Sequence, residues 1–102
     1  MMLPAASLGV DGAIGSTFNV NGVRARQIFE LTKAGKLVEA LEIQHVTNDL
    51  IEGILANGLY LTIKELLKLE GVDAGYCREP MTSKATAEQV AKAKDLKAKF
   101  LS

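Results

Sequence analysis

The residues of this sequence whose type and spacing could carry chemistry are few and scattered. His45 is the only histidine, and Asp49 follows it by one helical turn, the arrangement of a proton relay in which a carboxylate orients an imidazole. No second polar group converges on the pair in the sequence, so a histidine on a helix surface or partly packed is the plainer reading. Cys77, the only cysteine, precedes Arg78, and a neighbouring cation favours the thiolate. A nucleophile also needs a base, whereas a packed structural cysteine needs nothing more. Lys64 lies in the apolar run "TIKELL", where burial favours the neutral amine that forms imines. A lysine that buries its stem and keeps its ammonium in water satisfies the same run. Tyr60 and Tyr76 read as packing anchors with a wet hydroxyl. The remaining candidate is "DGAIGSTFN" at residues 11–19, rich in glycine and hydroxyls and poor in the Val, Ile and aromatic side chains of a strand that only packs. A tight turn between elements is the alternative, since isolated glycines commonly serve turns.

The elements that must position these residues are mostly helical. Residues 3–8 make a helical turn ending at Gly9, and a short strand follows at about residues 12–16. Asn19 is placed as the N-cap of a helix over about residues 20–33, with Val20, Val23, Gln27, Ile28 and Leu31 near helical spacing and Gly35 as the stop. A longer helix starts near Lys36. Leu37, Leu41, Val46, Leu50, Ile51, Ile54 and Leu55 recur on its 3.6-residue period, and the Asn57-Gly58 pair ends it. A third, over about residues 60–69, is apolar on most sides and reads as sandwiched between neighbours. Residues 71–84, punctuated by Gly71, Gly75 and Pro80, form an ordered connection. Thr86 and Gln89 then match a capping box, opening a last helix with Val90, Ala93, Leu96 and Phe100 on one face. Lys92, Lys94, Lys97 and Lys99 lie mostly on the other, as a solvated face near a helix C-terminus.

Composition narrows the function classes. At 102 residues the chain is one domain at most, and 48% hydrophobic residues supply a core. Twelve basic residues balance twelve acidic ones, without the interleaved aromatics of a nucleic-acid surface, so no nucleic-acid partner is expected. No apolar run approaches the roughly 20 residues of a membrane span, so a soluble, cytoplasmic chain without a membrane partner is expected. One cysteine excludes an internal disulfide and a zinc cluster of cysteines. One difficulty remains. A lone strand leaves its backbone donors and acceptors unpaired, so residues 11–16 are either a loop or the last strand of a sheet whose other strands lie on another piece of chain. Strand followed directly by helix, with small residues at the strand's end, is how a β/α unit of a barrel presents a ligand site.

"GVDGAIGSTFNVNG" at residues 9–22 resembles the eighth barrel strand of the class I, pyruvate-dependent aldolases of the dihydrodipicolinate synthase and N-acetylneuraminate lyase superfamily. Ile14-Gly15-Ser16-Thr17-Phe18-Asn19 is similar to its sialic acid lyase branch, whereas the synthase branch carries Ile-Ser-Val in the middle. The resemblance continues through "NGLYLTIKELLKLEGVDAGYCREP" at residues 57–80 and spans nearly the whole chain. It implies the last third of a (β/α)8 barrel of about three hundred residues. Residues 1–35 would be the last β/α unit and residues 36–102 a helical C-terminal extension, the chain itself being mainly α with about four helices and one short strand.

The resemblance also implies what is absent. The Schiff-base lysine, the proton-relaying tyrosine and the Ser/Thr pair that holds the pyruvate carboxylate lie upstream in the family, and the Asp-Glu pair that binds the sugar chain would fall just before Met1. No catalytic residue is expected in this chain, and neither a metal nor another cofactor is required. Gly15 and Ser16 match the glycine and serine that contact the polyhydroxylated part of the substrate. A glycine lets backbone approach a sugar closely, and a serine hydroxyl both donates and accepts. The implied parent cleaves N-acetylneuraminate to N-acetylmannosamine and pyruvate through a lysine imine, acts on a sugar-acid substrate and forms tetramers. Another 2-oxo acid aldolase or a dihydrodipicolinate synthase-like enzyme is the alternative within the superfamily. Outside it stands a helical interaction module without chemistry. The isolated chain is expected to be inactive, helical and self-associating, with residues 11–16 irregular or paired with another copy.

Overall fold

The computed structural model describes residues 1–82 and 84–101. Its elements are α1 (Met2–Ser7), α2 (Phe18–Lys33), α3 (Leu37–Asn57), α4 (Leu59–Leu69) and α5 (Ala87–Leu96), the last continuing into a π-helical turn, Lys97–Leu101. No strand occurs among the described residues, which corrects the expected strand at residues 12–16. Residues 12–15 are irregular and exposed. A strand exists only through a ladder with a neighbour, and this stretch has none to pair with here. The irregular backbone expected of an isolated strand edge is what is found.

Two compact units divide the chain, Met1–Asp49 and Leu50–Ser102. In the first, α1 packs on α2. Gly35 closes α2 with φ at 77°, in the left-handed region open to glycine. Its N–H donates to the Thr32 carbonyl at 3.0 Å and that of Lys36 to Leu31 at 2.9 Å, the pair of bonds that terminates a helix in the Schellman manner. The entry to α2 departs from the expected one. The helix starts at Phe18 with Thr17 as N-cap, and Asn19 lies inside the first turn, so Asn19 is not the cap. Asn21 interrupts the turn with φ −124° and ψ 25°.

The buried faces of this unit are more polar than the hydrophobic periodicity suggests. On α2 they are Asn21, Ala25, Ile28 and Thr32, while Val23 is exposed. On the first part of α3 they are Ala40, Gln44 and Thr47, while Leu37, Leu41 and Val46 are exposed. Each buried polar group has a partner. Asn21 Nδ2 donates to Thr47 Oγ1 at 3.3 Å, Gln44 Oε1 accepts from the Leu3 N–H at 2.9 Å, and the Thr32 hydroxyl donates to the Ile28 carbonyl at 2.7 Å. Satisfied in this way, polar side chains can occupy an interior at little cost.

The second unit has the more apolar interior. Leu50, Ile54, Leu61, Ile63, Leu66, Ala93 and Phe100 are buried, and α4 packs on α5. Burying each large side chain among them contributes about 1.5–3 kcal/mol. The end of α3 at Asn57 and the start of α4 at Leu59 bracket Gly58, as the Asn-Gly signal predicts. The apolar third helix is there, although Tyr60 and Leu69 remain exposed. Thr86 and Gln89 form the expected capping box, with Thr86 N–H to Gln89 Oε1 at 2.9 Å and Gln89 N–H to Thr86 Oγ1 at 3.2 Å. A polar clasp joins three elements of this unit. Asn57 Nδ2 donates to Thr62 Oγ1 at 3.1 Å and to the Gln89 carbonyl at 3.0 Å, and Gln89 Nε2 donates back to the Asn57 carbonyl at 3.0 Å. Within residues 71–84, expected as an ordered connection, Ser83 lies outside the described residues, and the rest carries no helix or strand.

Candidate functional site

Gly15 and Ser16 sit in the exposed stretch that runs into α2. Three successive carbonyls of this stretch are drawn into the helix's first turn. Gly15 O accepts from the Phe18 N–H at 3.2 Å, Ser16 O from Asn19 at 3.3 Å, and Thr17 O from Val20 and Asn21 at 3.1 and 2.9 Å. In a planar trans peptide the carbonyl and the N–H point to opposite sides. The N–H groups of Ser16 and Thr17 therefore face away from that turn, and among the described residues neither donates to a protein acceptor. The result is a bare, solvent-facing rim of backbone donors beside the Ser16 hydroxyl.

The glycines of the rim are not demanded by the fold of this chain. Neither Gly12 nor Gly15 has a positive φ. A Cβ on Gly12 would meet nothing within 4 Å, and one on Gly15 would meet only the Phe18 ring, at an ordinary 3.7 Å. Turn geometry and internal crowding, the usual reasons for glycine, are both absent at these two positions. A concavity of about 240 Å³ is lined by Gly12, Ala13, Phe18 and Gly22 among others, but not by Gly15 or Ser16.

The other candidates are not brought together into a site. His45 and Asp49 are both exposed on α3, as expected for a surface histidine. Cys77 is buried, as a packed cysteine should be. Lys64 is half-buried, and its Nζ donates to the Ala74 carbonyl at 2.9 Å, the snorkelling arrangement. Tyr60 and Tyr76 keep 45% and 62% of their surface, so packing anchors overstates both. With Lys64, Cys77 and Arg78 they line a wide, shallow cleft in the second unit. Two of the four lysines on the expected face of the last helix are in ion pairs, Lys92 with Glu88 at 3.2 Å and Lys97 with Glu70 at 2.7 Å. Among the described residues no group of three His, Cys, Asp or Glu side chains is placed to hold a metal ion, and no helix is long and apolar enough to cross a membrane.

Comparison with known proteins decides the affiliation. The Dihydrodipicolinate synthetase family matches residues 1–99. The chain belongs to this family. All 102 residues align at 97% identity with the N-acetylneuraminate lyase of Haemophilus influenzae, covering 35% of that protein. Among solved structures, the N-acetylneuraminate lyase of Fusobacterium nucleatum complexed with pyruvate matches at 70% identity and a TM-score of 0.94, over 100% of this chain and 34% of that one. CdNal from Clostridium difficile, in complex with mannosamine, also matches at 70% identity and a TM-score of 0.94, over 98% of this chain and 34% of that one. The chain thus spans about a third of the length of the synthetase-family relatives it matches. The structure places Gly15 and Ser16 together in the exposed stretch, and it adds a side-chain bond at the Ser16 carbonyl that the sequence does not announce. Asn19 was assigned to accept from helix N–H groups, yet its amide donates backwards, from Nδ2 to the Ser16 carbonyl at 2.9 Å. Asparagine carries both a donor and an acceptor, so its sequence position alone does not tell which end is used.

Proposed function

We propose that this chain is the C-terminal third of an N-acetylneuraminate lyase and forms the sugar-side wall of its active site. The reaction is cleavage of N-acetylneuraminate to N-acetylmannosamine and pyruvate through a lysine imine, which accepts the electron pair of the breaking carbon–carbon bond. The imine lysine belongs to the portion of the barrel upstream of this chain, so the chain alone is inactive. Gly15 and Ser16 line the polyhydroxylated part of the substrate. The observation that carries the activity is the 97% identity with the Haemophilus influenzae lyase along the whole chain. The bareness of Gly12 and Gly15 without any internal need for it supports the site, because it leaves room for a ligand.

In this reading residues 1–35 are the last β/α unit of the barrel and residues 36–102 the helical extension. Residues 12–16 become its eighth strand once neighbouring strands are present. The fully exposed Ile14, together with Val23, Leu37 and Leu41, supports burial of these side chains in the complete enzyme. The enzyme is a cytoplasmic homo-tetramer that binds neither nucleic acid nor membrane.

The test joins this chain to the upstream two thirds of the Haemophilus influenzae lyase and replaces Ser16 by Ala. Loss of a hydrogen bond to the sugar raises KM for N-acetylneuraminate about five- to tenfold, while KM for pyruvate in the synthetic direction is unchanged. Equal effects on both, or on neither, contradict the assignment of Ser16 to the sugar side.

A further inference from the structure

We infer that Asn19 is the positioning residue of the Ser16 sugar contact, an inference that rests on the functional reading above. The Ser16 carbonyl is held twice by this one residue, by its backbone N–H at 3.3 Å and by its side-chain Nδ2 at 2.9 Å. Two donors on one carbonyl oxygen, from different directions, fix the rotation of the Ser16–Thr17 peptide about the chain. That rotation sets the direction of the Thr17 N–H, on the opposite side of the planar peptide, and the ψ angle from which the Ser16 side chain projects. A helix entry with a single bond at this carbonyl would leave the rim free to rock.

The turn that contains Asn19 is itself fastened from below. Two residues on, Asn21 is 3% exposed. Its side chain bonds Thr47 on α3 at 3.3 Å and accepts from Arg24 Nη1 at 3.3 Å, while its N–H closes on Thr17 O at 2.9 Å. Asn19 is exposed and makes no contact in the interior that would account for an amide there. Among the described residues its side-chain bond goes to the Ser16 carbonyl, so the role assigned to Asn19 is to act through Ser16. A rim of this kind is pre-set before the sugar arrives, which lowers the ordering cost of binding.

The experiment is a double-mutant cycle in the joined, full-length enzyme, with Ser16→Ala, Asn19→Ala, Asn19→Asp and the Ser16→Ala/Asn19→Ala pair. Asn19→Asp keeps the size of the side chain and removes its donor. It also puts a negative charge in the first turn of α2, where the helix dipole favours it, so thermal stability is not lowered. Both Asn19 variants are expected to raise KM for N-acetylneuraminate about fivefold with kcat little changed. In the Ser16→Ala background, Asn19→Ala is expected to add less than about twofold, because the group it positions is gone. A rise in KM for Asn19→Asp with undiminished thermal stability is not a folding effect. If Ser16→Ala raises KM but Asn19→Ala does not, or multiplies it equally in both backgrounds, the positioning role is overturned and the Ser16 assignment stands. If Ser16→Ala leaves KM unchanged, the Ser16 assignment itself falls, and this inference with it.

Discussion

Replacing Asn57 by Ala tests the polar clasp of the second unit most severely. Asn57 is 5% exposed and Thr62 fully buried, and the amide Nδ2 serves both the Thr62 hydroxyl and the Gln89 carbonyl. Truncation removes two hydrogen bonds worth about 1 kcal/mol each and leaves two poorly solvated acceptors, a further cost of about 1 kcal/mol, for about 3 kcal/mol in all. A domain of this size has only about 5–15 kcal/mol of stability, so the loss is large. Urea unfolding of the chain, followed by circular dichroism, should show a midpoint lowered accordingly at unchanged slope. Thr62→Val, which removes the hydroxyl but keeps the shape, should cost about 1 kcal/mol alone and close to nothing beside Asn57→Ala. A loss below about 1 kcal/mol for Asn57→Ala, or full additivity of the two changes, would refute the clasp as a cooperative unit.

Other expectations follow from the same geometry. Thr86→Ala removes the acceptor for the Gln89 N–H and should lower stability by about 1 kcal/mol in the same unfolding assay. Gly58→Ala forces a side chain onto φ 105° and brings its Cβ to 3.0 Å from Leu61 Cδ2, so a loss of about 2 kcal/mol is expected. Gly15→Ala meets only an ordinary contact with Phe18, so stability should stay within about 0.5 kcal/mol. In the joined enzyme the same change should raise KM for N-acetylneuraminate, measured by steady-state kinetics, because the added methyl occupies the sugar side.

Local signals carried much of the fold. Gly35, the Asn57-Gly58 stop and the Thr86/Gln89 box all appear with the bonds their residue types imply, since caps and stops depend on a few adjacent residues. The strand expected at residues 12–16 is absent among the described residues, because a strand forms only where a neighbour supplies the other side of the ladder. The buried faces of α2 and α3 match the apolar periodicity at Ile28, Leu50 and Ile54 and depart from it elsewhere for a different reason. Apolar periodicity also selected Val23, Leu37 and Leu41, which are exposed, while Asn21, Gln44 and Thr47 join Ala25, Ile28 and Ala40 in the interior through hydrogen bonds that a hydrophobicity pattern does not register. At the candidate site the sequence singles out Gly15 and Ser16 by residue type and resemblance alone, and both lie exposed at the entry to α2. The reach of Asn19 back to the Ser16 carbonyl needed coordinates, because the same side chain serves equally well as a cap.

The central claim is that this chain supplies the sugar-side wall and leaves the imine lysine to the upstream barrel. Its most direct test is borohydride trapping with pyruvate, read by intact mass on the 102-residue chain and by peptide mapping on the joined enzyme. The account predicts no stoichiometric adduct on the chain alone, and a single adduct in the joined enzyme that maps upstream of it. Selective labelling of a lysine within the chain, Lys64 above all, would contradict the account and move the search for the active site into the helices.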